Sequence, residues 1–422
     1  MRALEASTVM RDGLALASYC YEEAGSSAHD HGSIPRFGPR SQPGLSGWLC
    51  EARPVDRMTH LTQRLPTMVD DLALLVGVES PSQDLGACRD VVHATAGLGT
   101  GLLGQRPEVL EVDGRSHLRW RFGPPGRALL VGHIDTVWPL GTLARWPFRV
   151  DDGVATGPGC FDMKGGVVQA FHALSTLDDL DGIEVLLTTD EELGSQTSRH
   201  LVEEGARASR AALVCEPAGD GGVLKVGRKG TGMYTLVVSG RSAHAGLEPE
   251  KGANALIAAA HLILALAPLN RPEVGTTVTP TVAAAGTATN VVPAVARVEV
   301  DVRVAQPDEA GRVDEAIRAL RPAVAGCRIE VLGGPNRPPM PPASGADLFA
   351  RAQAIAAELG LPPVGGVTVG GGSDGNFTAA VGCPTLDGLG PLGGGAHAET
   401  EHVLVADMPR RAALLAELVA SL

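Results

Sequence analysis

The chain has 422 residues, 44 % hydrophobic and 3 % aromatic, with 54 glycines and 30 prolines. That length exceeds the reach of one hydrophobic core, so two domains are expected, and no Gly-X-Y period is present to suggest collagen. A formal net charge of −13 argues against a general nucleic-acid binder and suits a chain that gathers cations on its carboxylates.

Residues 1–57 mix Ser, Gly, Pro and charges without a sustained period and read as a disordered extension. Its "HDH" (His29 to His31) is better read as part of a flexible tail than as a metal site. Asp12 interrupts the one weak apolar run near the start, so no secretory signal is expected. Seven scattered cysteines without a C-x-x-C pair favour a reducing, cytoplasmic setting.

Met58 opens a helical pattern, and from about Asp70 helices alternate with short apolar strands, the mark of an α/β sheet covered by helices. Strands are predicted at Ala128–Val131, Ile183–Thr188 and Ala211–Cys215. A helix between the first two carries Met163, Val167, Ala170, Phe171 and Leu174 on one stripe. After Pro217 the pattern changes. Strands at Met233–Val238 and Ala294–Val304 flank a helix from about Asn254, and the second alternates cleanly between Val or Ala and charged residues. The apolar run Ala253–Leu269 contains His261 and is too short to span a bilayer, so a packed or interface helix is expected. The predicted architecture is a mostly parallel α/β domain covered by helices (58–228 and 335–422), with a smaller α+β domain inserted at about 229–334.

Ionisable residues gather where the predicted strands end. His133 and Asp135 follow the first strand, and Asp162 follows the turn "GPGCFD". Asp190, Glu191 and Glu192 follow "IEVLLTT", Glu216 follows "AALVC", and His397 sits in "GPLGGGAHAE". Ligands of open α/β sheets collect beyond the carboxyl ends of strands, and this set suits zinc, or cobalt or manganese. Residues i and i+2 of an extended segment point the same way, so Asp135 can accept the second imidazole N–H of His133. The adjacent Glu191 and Glu192 allow one carboxylate to ligate and the other to face a metal-bound water.

The ordered motifs "VGHIDTV", "GPGCFDMKGG", "TTDEELGS", "CEP" and "GGGAHAE" resemble the zinc exopeptidase family of glutamate carboxypeptidase, acetylornithine deacetylase, succinyl-diaminopimelate desuccinylase and aminoacylase. The likeness runs from about residue 58 to the end, and "NVVP", "DVR", "NRPP" and "PTLDGLGP" bring it nearest to glutamate carboxypeptidase. It implies two zinc ions bridged by Asp162, one held by His133 and Glu216 and the other by Glu192 and His397. It implies that Asp135 orients His133 and that Glu191 is the general base. His244, Asn290, Arg303 and Arg337 match substrate-binding positions, and the resemblance implies that the larger domain is catalytic and the inserted one a lid that forms a homodimer. The expected activity is cleavage of a peptide or amide bond beside a free carboxylate, carboxypeptidase-like, with N-acyl-amino-acid deacylation as the alternative. The expected partner is a small peptide or N-acyl amino acid, with no nucleic acid or membrane.

Three rival readings are weaker. "GTGLLG" (Gly99 to Gly104) fits a dinucleotide fingerprint but follows a helical pattern where a strand is required. "GGSDG" (Gly371 to Gly375) fits a nucleophile elbow, with Asp387 and His397 following in order. That reading leaves Asp162, Glu191, Glu192 and Glu216 without a purpose. A non-catalytic metal-binding protein would have no need of Glu191 as a base. Arg303 shares a strand face with Glu299 and Asp301 and has a plain surface ion pair as its competing explanation.

Overall fold

A computed structural model describes residues 56–422. The expectations for the N-terminal extension and its "HDH" therefore lie outside the described residues, apart from 56 and 57. Asp56 accepts the N–H groups of Met58 and Thr59 and caps the helix Arg57–Gln63, one residue ahead of the predicted start.

Six strands form the larger sheet, in the spatial order Glu108–Val112, Arg115–Phe122, Ile183–Thr188, Ala128–His133, Ala212–Val214 and Thr385–Leu386. The last four are mutually parallel, and the first two add an antiparallel hairpin at one edge. Strands Ala128–His133 and Ile183–Thr188 are buried along their whole length, as apolar runs in a doubly covered sheet should be. The helix Gly165–Leu174 departs from the expected one-sided stripe, for all ten of its residues are buried. It is packed between the sheet, the helix Leu65–Val76 and the C-terminal helix Met408–Ala420, so no face is left for water.

A separate antiparallel sheet has the order Thr277–Ala285, Val295–Val304, Gly230–Ser239 and Arg328–Arg337. The alternation holds: Ala296, Val298, Val300, Val302 and Val304 are buried against the helices Ala255–Leu266 and Pro307–Arg318, while the charged residues between them are not. Asn254 caps the first of these helices by accepting from Leu256 N–H and Ile257 N–H. No described helix is long and apolar enough to cross a membrane.

"GTGLLG" lies inside and at the end of the helix Leu85–Leu103, so it forms no phosphate-binding turn. Gly99 is there for packing: a Cβ would meet Trp120 at 2.5 Å and Phe171 at 3.0 Å.

Candidate metal centre

The parallel strands run in one direction, so the segments that follow them converge at one edge of the sheet. His133 closes its strand, Glu191 and Glu192 sit in the short turn Glu191–Leu193, and Glu216 follows Ala212–Val214. Asp162 arrives from the turn before the helix Gly165–Leu174. Its backbone is extended (φ −114°, ψ 96°), and its side chain faces the histidines instead of capping the helix.

His133 Nε2 lies 3.3 Å from Asp162 Oδ1 and 3.6 Å from Glu216 Oε1. His397 Nε2 lies 3.3 Å from Asp162 Oδ2 and 3.2 Å from Glu192 Oε1. Asp162 thus presents one oxygen to each imidazole. Two triads have all their ligand atoms within 4.8 Å of one another: His133, Asp162, Glu192 and His133, Glu191, Glu216. Bonds of about 2.0–2.1 Å to a tetrahedral ion space its ligands about 3.4 Å apart, which matches these separations. The mixed imidazole and carboxylate donors are also those that zinc, cobalt or manganese accepts. The residues fit a pair of divalent cations.

His133 Nδ1 is 3.0 Å from the backbone oxygen of Asp135 and 3.5 Å from its carboxylate. The closer acceptor for the ring N–H is therefore the carbonyl. The fully buried carboxylate instead takes the Glu192 N–H at 3.3 Å on Oδ2, while its Oδ1 has no partner.

Electrostatics separate the two adjacent glutamates. Burial pushes the Glu191 carboxyl well above the ordinary carboxylate range; Arg337 opposes this, and Glu216 and Asp374 add to it. Burial also raises Glu192, against the hydrogen bond from His397. Burial alone would raise Asp162, but the two imidazoles hold it below its ordinary value.

Arg337, last residue of the strand Arg328–Arg337, is buried against Glu191. Its Nη2 donates at 2.9 Å to Glu191 Oε1, to the Glu191 carbonyl and to Ser195 Oγ, and Asp374 lies 3.5 Å away. Its Nε is buried without a partner. Arg303 pairs in a fork with Asp301 at 2.8–3.1 Å, the surface pair that competes with a substrate role. His244 and Asn290 are exposed in the smaller domain, where the His244 ring accepts from Gly246 and Leu247 and the Asn290 carbonyl accepts from Ala245. Neither shares a hydrogen bond with the metal-centre residues.

Sequence reasoning missed Arg228, Asp374 and the use of Asp387. The Ser373 hydroxyl donates to Asp387 Oδ2 at 2.7 Å, and Asp387 is in turn paired with Arg228 at 2.6 Å. Both Ser373 and Asp387 are fully buried, so "GGSDG" is a structural turn and no nucleophile elbow. The usable signal was Asp374 itself, charged in a glycine-rich run that leads into a buried helix. A cleft of about 650 Å³ opens on the other flank, with Glu192, Leu193, Thr136, Val137 and Leu140 among its walls.

The sequence model of peptidase family M20/M25/M40 matches residues 129–421. The chain belongs to that family. Carboxypeptidase G2 of Pseudomonas sp. strain RS-16 is 34 % identical over 377 residues, covering 86 % of this chain and 90 % of the relative. A succinyl-diaminopimelate desuccinylase of Halorhodospira halophila is 30 % identical over 359 residues, covering 78 % and 92 %. Among solved structures, an M20 family metallo-carboxypeptidase of Sulfolobus solfataricus superposes with a TM-score of 0.69 at 16 % identity, covering 85 % of this chain and all of that one. An M20 protein is a metallopeptidase or related hydrolase with a dinuclear metal site and a peptide-type substrate, and this one carries the donor set for such a site.

Proposed function

We propose that the protein is a di-zinc hydrolase that cleaves a peptide or amide bond beside a free carboxylate, releasing a C-terminal residue such as glutamate. The observation that carries this reading is Arg337: a guanidinium at 2.9 Å from Glu191 Oε1 whose buried Nε has no partner. A planar guanidinium beside the proposed base matches the geometry of a carboxylate. The 34 % identity to carboxypeptidase G2 points the same way.

In this scheme His133 and Glu216 would hold one ion, Glu192 and His397 the other, and Asp162 would offer an oxygen to each. Two bound cations would lower the pKa of a water and polarise the scissile carbonyl. Asp135 holds the His133 ring through its carbonyl and the Glu192 backbone through its carboxylate. Glu191, raised by burial, takes the proton of the attacking water and passes it to the leaving amine. Arg337 faces the carboxylate of the released residue, and His244, Asn290 and Arg303 complete the substrate contacts from the smaller domain. In this reading the smaller domain spans about residues 229–334 and stands between the two parts of the catalytic domain. Half-exposed Leu256 and Ile257 and 70 %-exposed Leu264 on the helix Ala255–Leu266 support a homodimer through this domain. A cytoplasmic setting is part of this proposal and rests on the scattered cysteine spacing of the sequence.

The alternative, N-acyl-amino-acid deacylation, uses the same residues and is favoured by the cleft beside Glu192, which has room for an acyl group. Zinc-loaded protein incubated with dipeptides and N-acyl amino acids, with products read by mass spectrometry, separates the two. Substrates whose terminal carboxylate is amidated should be poor, and equal turnover of acid and amide would refute the Arg337 assignment. Glu191→Gln should keep its metal and lose turnover by about 10²–10⁴-fold.

A further inference from the structure

Glu401 takes no part in the scheme above, yet its side chain is fully buried. It lies four residues after His397, at the end of successive turns closed by Ala398 N–H to Gly395 O at 2.9 Å and Glu401 N–H to Ala398 O at 2.8 Å. Oε1 accepts from the backbone N–H groups of Phe161 and Asp162, each at 2.9 Å. Oε2 accepts from the Gly159 N–H at 3.0 Å and the Trp138 indole N–H at 2.9 Å. Three of these four neutral donors belong to the turn that delivers Asp162.

A carboxylate is costly to bury unless its oxygens are hydrogen-bonded, and charge-assisted bonds to backbone N–H groups are strong and directional. Joining the two chain segments does not require this side chain. The strand His402–Leu404 already pairs with Val154–Thr156, placing His402 opposite Thr156. The Glu401 carboxylate reaches beyond that ladder into residues 159–162, where Asp162 sits in extended backbone and a small rotation of the turn would swing its oxygens away from the histidines.

We propose that Glu401 is a positioning residue for metal uptake: it fastens the 159–162 turn so that Asp162 offers one oxygen to each histidine, and it ties that turn to the His397 loop. The proposal rests on the metal centre described above. Because Asp162 serves both ions, disturbing Glu401 weakens both binding steps, whereas losing His397 weakens one.

The test is zinc affinity of the full chain, measured stepwise by competition with a chromophoric chelator. The melting of metal-free protein in EDTA serves as the control for folding. In Glu401→Gln the amide can satisfy only one of the two donor pairs, and its NH2 group opposes the other. Both steps should weaken about 10–100-fold, the usual effect of losing an outer partner of a metal ligand. Trp138→Phe removes a single donor, leaves the backbone donors in place, and should weaken binding by about 2–10-fold. A folded Glu401→Gln variant with wild-type affinity at both steps overturns the proposal. If that variant does not fold, unchanged affinity in Trp138→Phe does the same. A wild-type chain that takes up no zinc overturns the metal centre and this inference together.

Discussion

Replacing Arg228 with methionine asks whether charge holds the floor of the metal centre. The guanidinium is 3 % exposed and makes five hydrogen bonds. Nε and Nη2 reach the two Asp387 oxygens at 2.6 and 3.0 Å, Nη2 also reaches Glu216 Oε2 at 3.2 Å, and Nη1 reaches the Gly371 and Gly372 carbonyls at 3.2 Å. Burial opposes the charge, but Asp387 and Glu216 hold the guanidinium firmly ionised. Methionine keeps much of the aliphatic stem, so the loss is mainly electrostatic. Removing one partner of a buried pair costs about 3–5 kcal/mol, because the other charge is stranded away from water. Asp387 keeps the Ser373 hydroxyl and the Gly388 N–H, which places the expected loss near the lower end, about 3 kcal/mol. Urea unfolding of the metal-free protein, followed by circular dichroism in chelator, measures it. Arg228→Met combined with Asp387→Leu should recover part of the loss, since Asp387 is no longer stranded, while Glu216 keeps Lys225 at 3.7 Å and His133 at 3.6 Å. A single variant within about 1 kcal/mol of wild type, or a double variant no more stable than the single, would refute the reasoning.

Metal uptake should release protons. Hydrogen bonds to Asp162 and Glu192 push the metal-free His397 imidazole up to about 10; for His133, burial acts downward but Asp135, Asp162 and Glu216 prevail and raise it well above its ordinary value. A raised histidine favours the metal-free fold fully below its unfolded pKa of about 6.5, and that contribution fades as pH climbs through the folded value. Zinc needs the neutral ring, so apparent affinity should rise with pH over the same interval, and calorimetry in buffers of different ionisation enthalpy should count the protons; buffer-independent heats would contradict this. Gly99→Ala gains about 1 kcal/mol of helix propensity but forces a methyl to 2.5 Å from Trp120. Overpacking of about 1–3 kcal/mol should win and lower the melting temperature; a rise would show that the ring yields. Asn254→Ala should cost about 1 kcal/mol through loss of the helix cap, and an unchanged unfolding midpoint would remove that role.

The strands could be read because their signal is local. Apolar runs of the right length and strict alternation in Ala294–Val304 follow from side chains pointing to opposite faces. His133, Glu191, Glu192 and Glu216 were legible for a related reason: each follows such a run, where parallel topology gathers ends together, whereas Asp162 and His397 come from glycine-rich turns and were marked by their motifs. What stayed hidden depends on partners distant in sequence. Arg337 meets Glu191 across 146 residues, and nothing near either residue announces the other. Glu401 sits in "HAETEH", which has the look of a solvated acidic turn, and only the backbone of residues 159–162 makes it a buried acceptor. The stripe assigned to Gly165–Leu174 was real but incomplete, because a second layer of helices covers its other side. Asp135 was expected to take the His133 ring N–H on its carboxylate, whereas its backbone carbonyl lies nearer the ring and its carboxylate accepts from the Glu192 N–H.

The strand that ends in Arg337 has a mechanical corollary. Its final guanidinium grips the carboxylate proposed as the base, while the rest of the strand belongs to the outlying sheet. Any tilt of that sheet would therefore pull on a charge at the reacting end, as a lever acts on a latch. Posture of the outer layer and basicity of Glu191 would then be one variable, read by a titration as well as by a ruler.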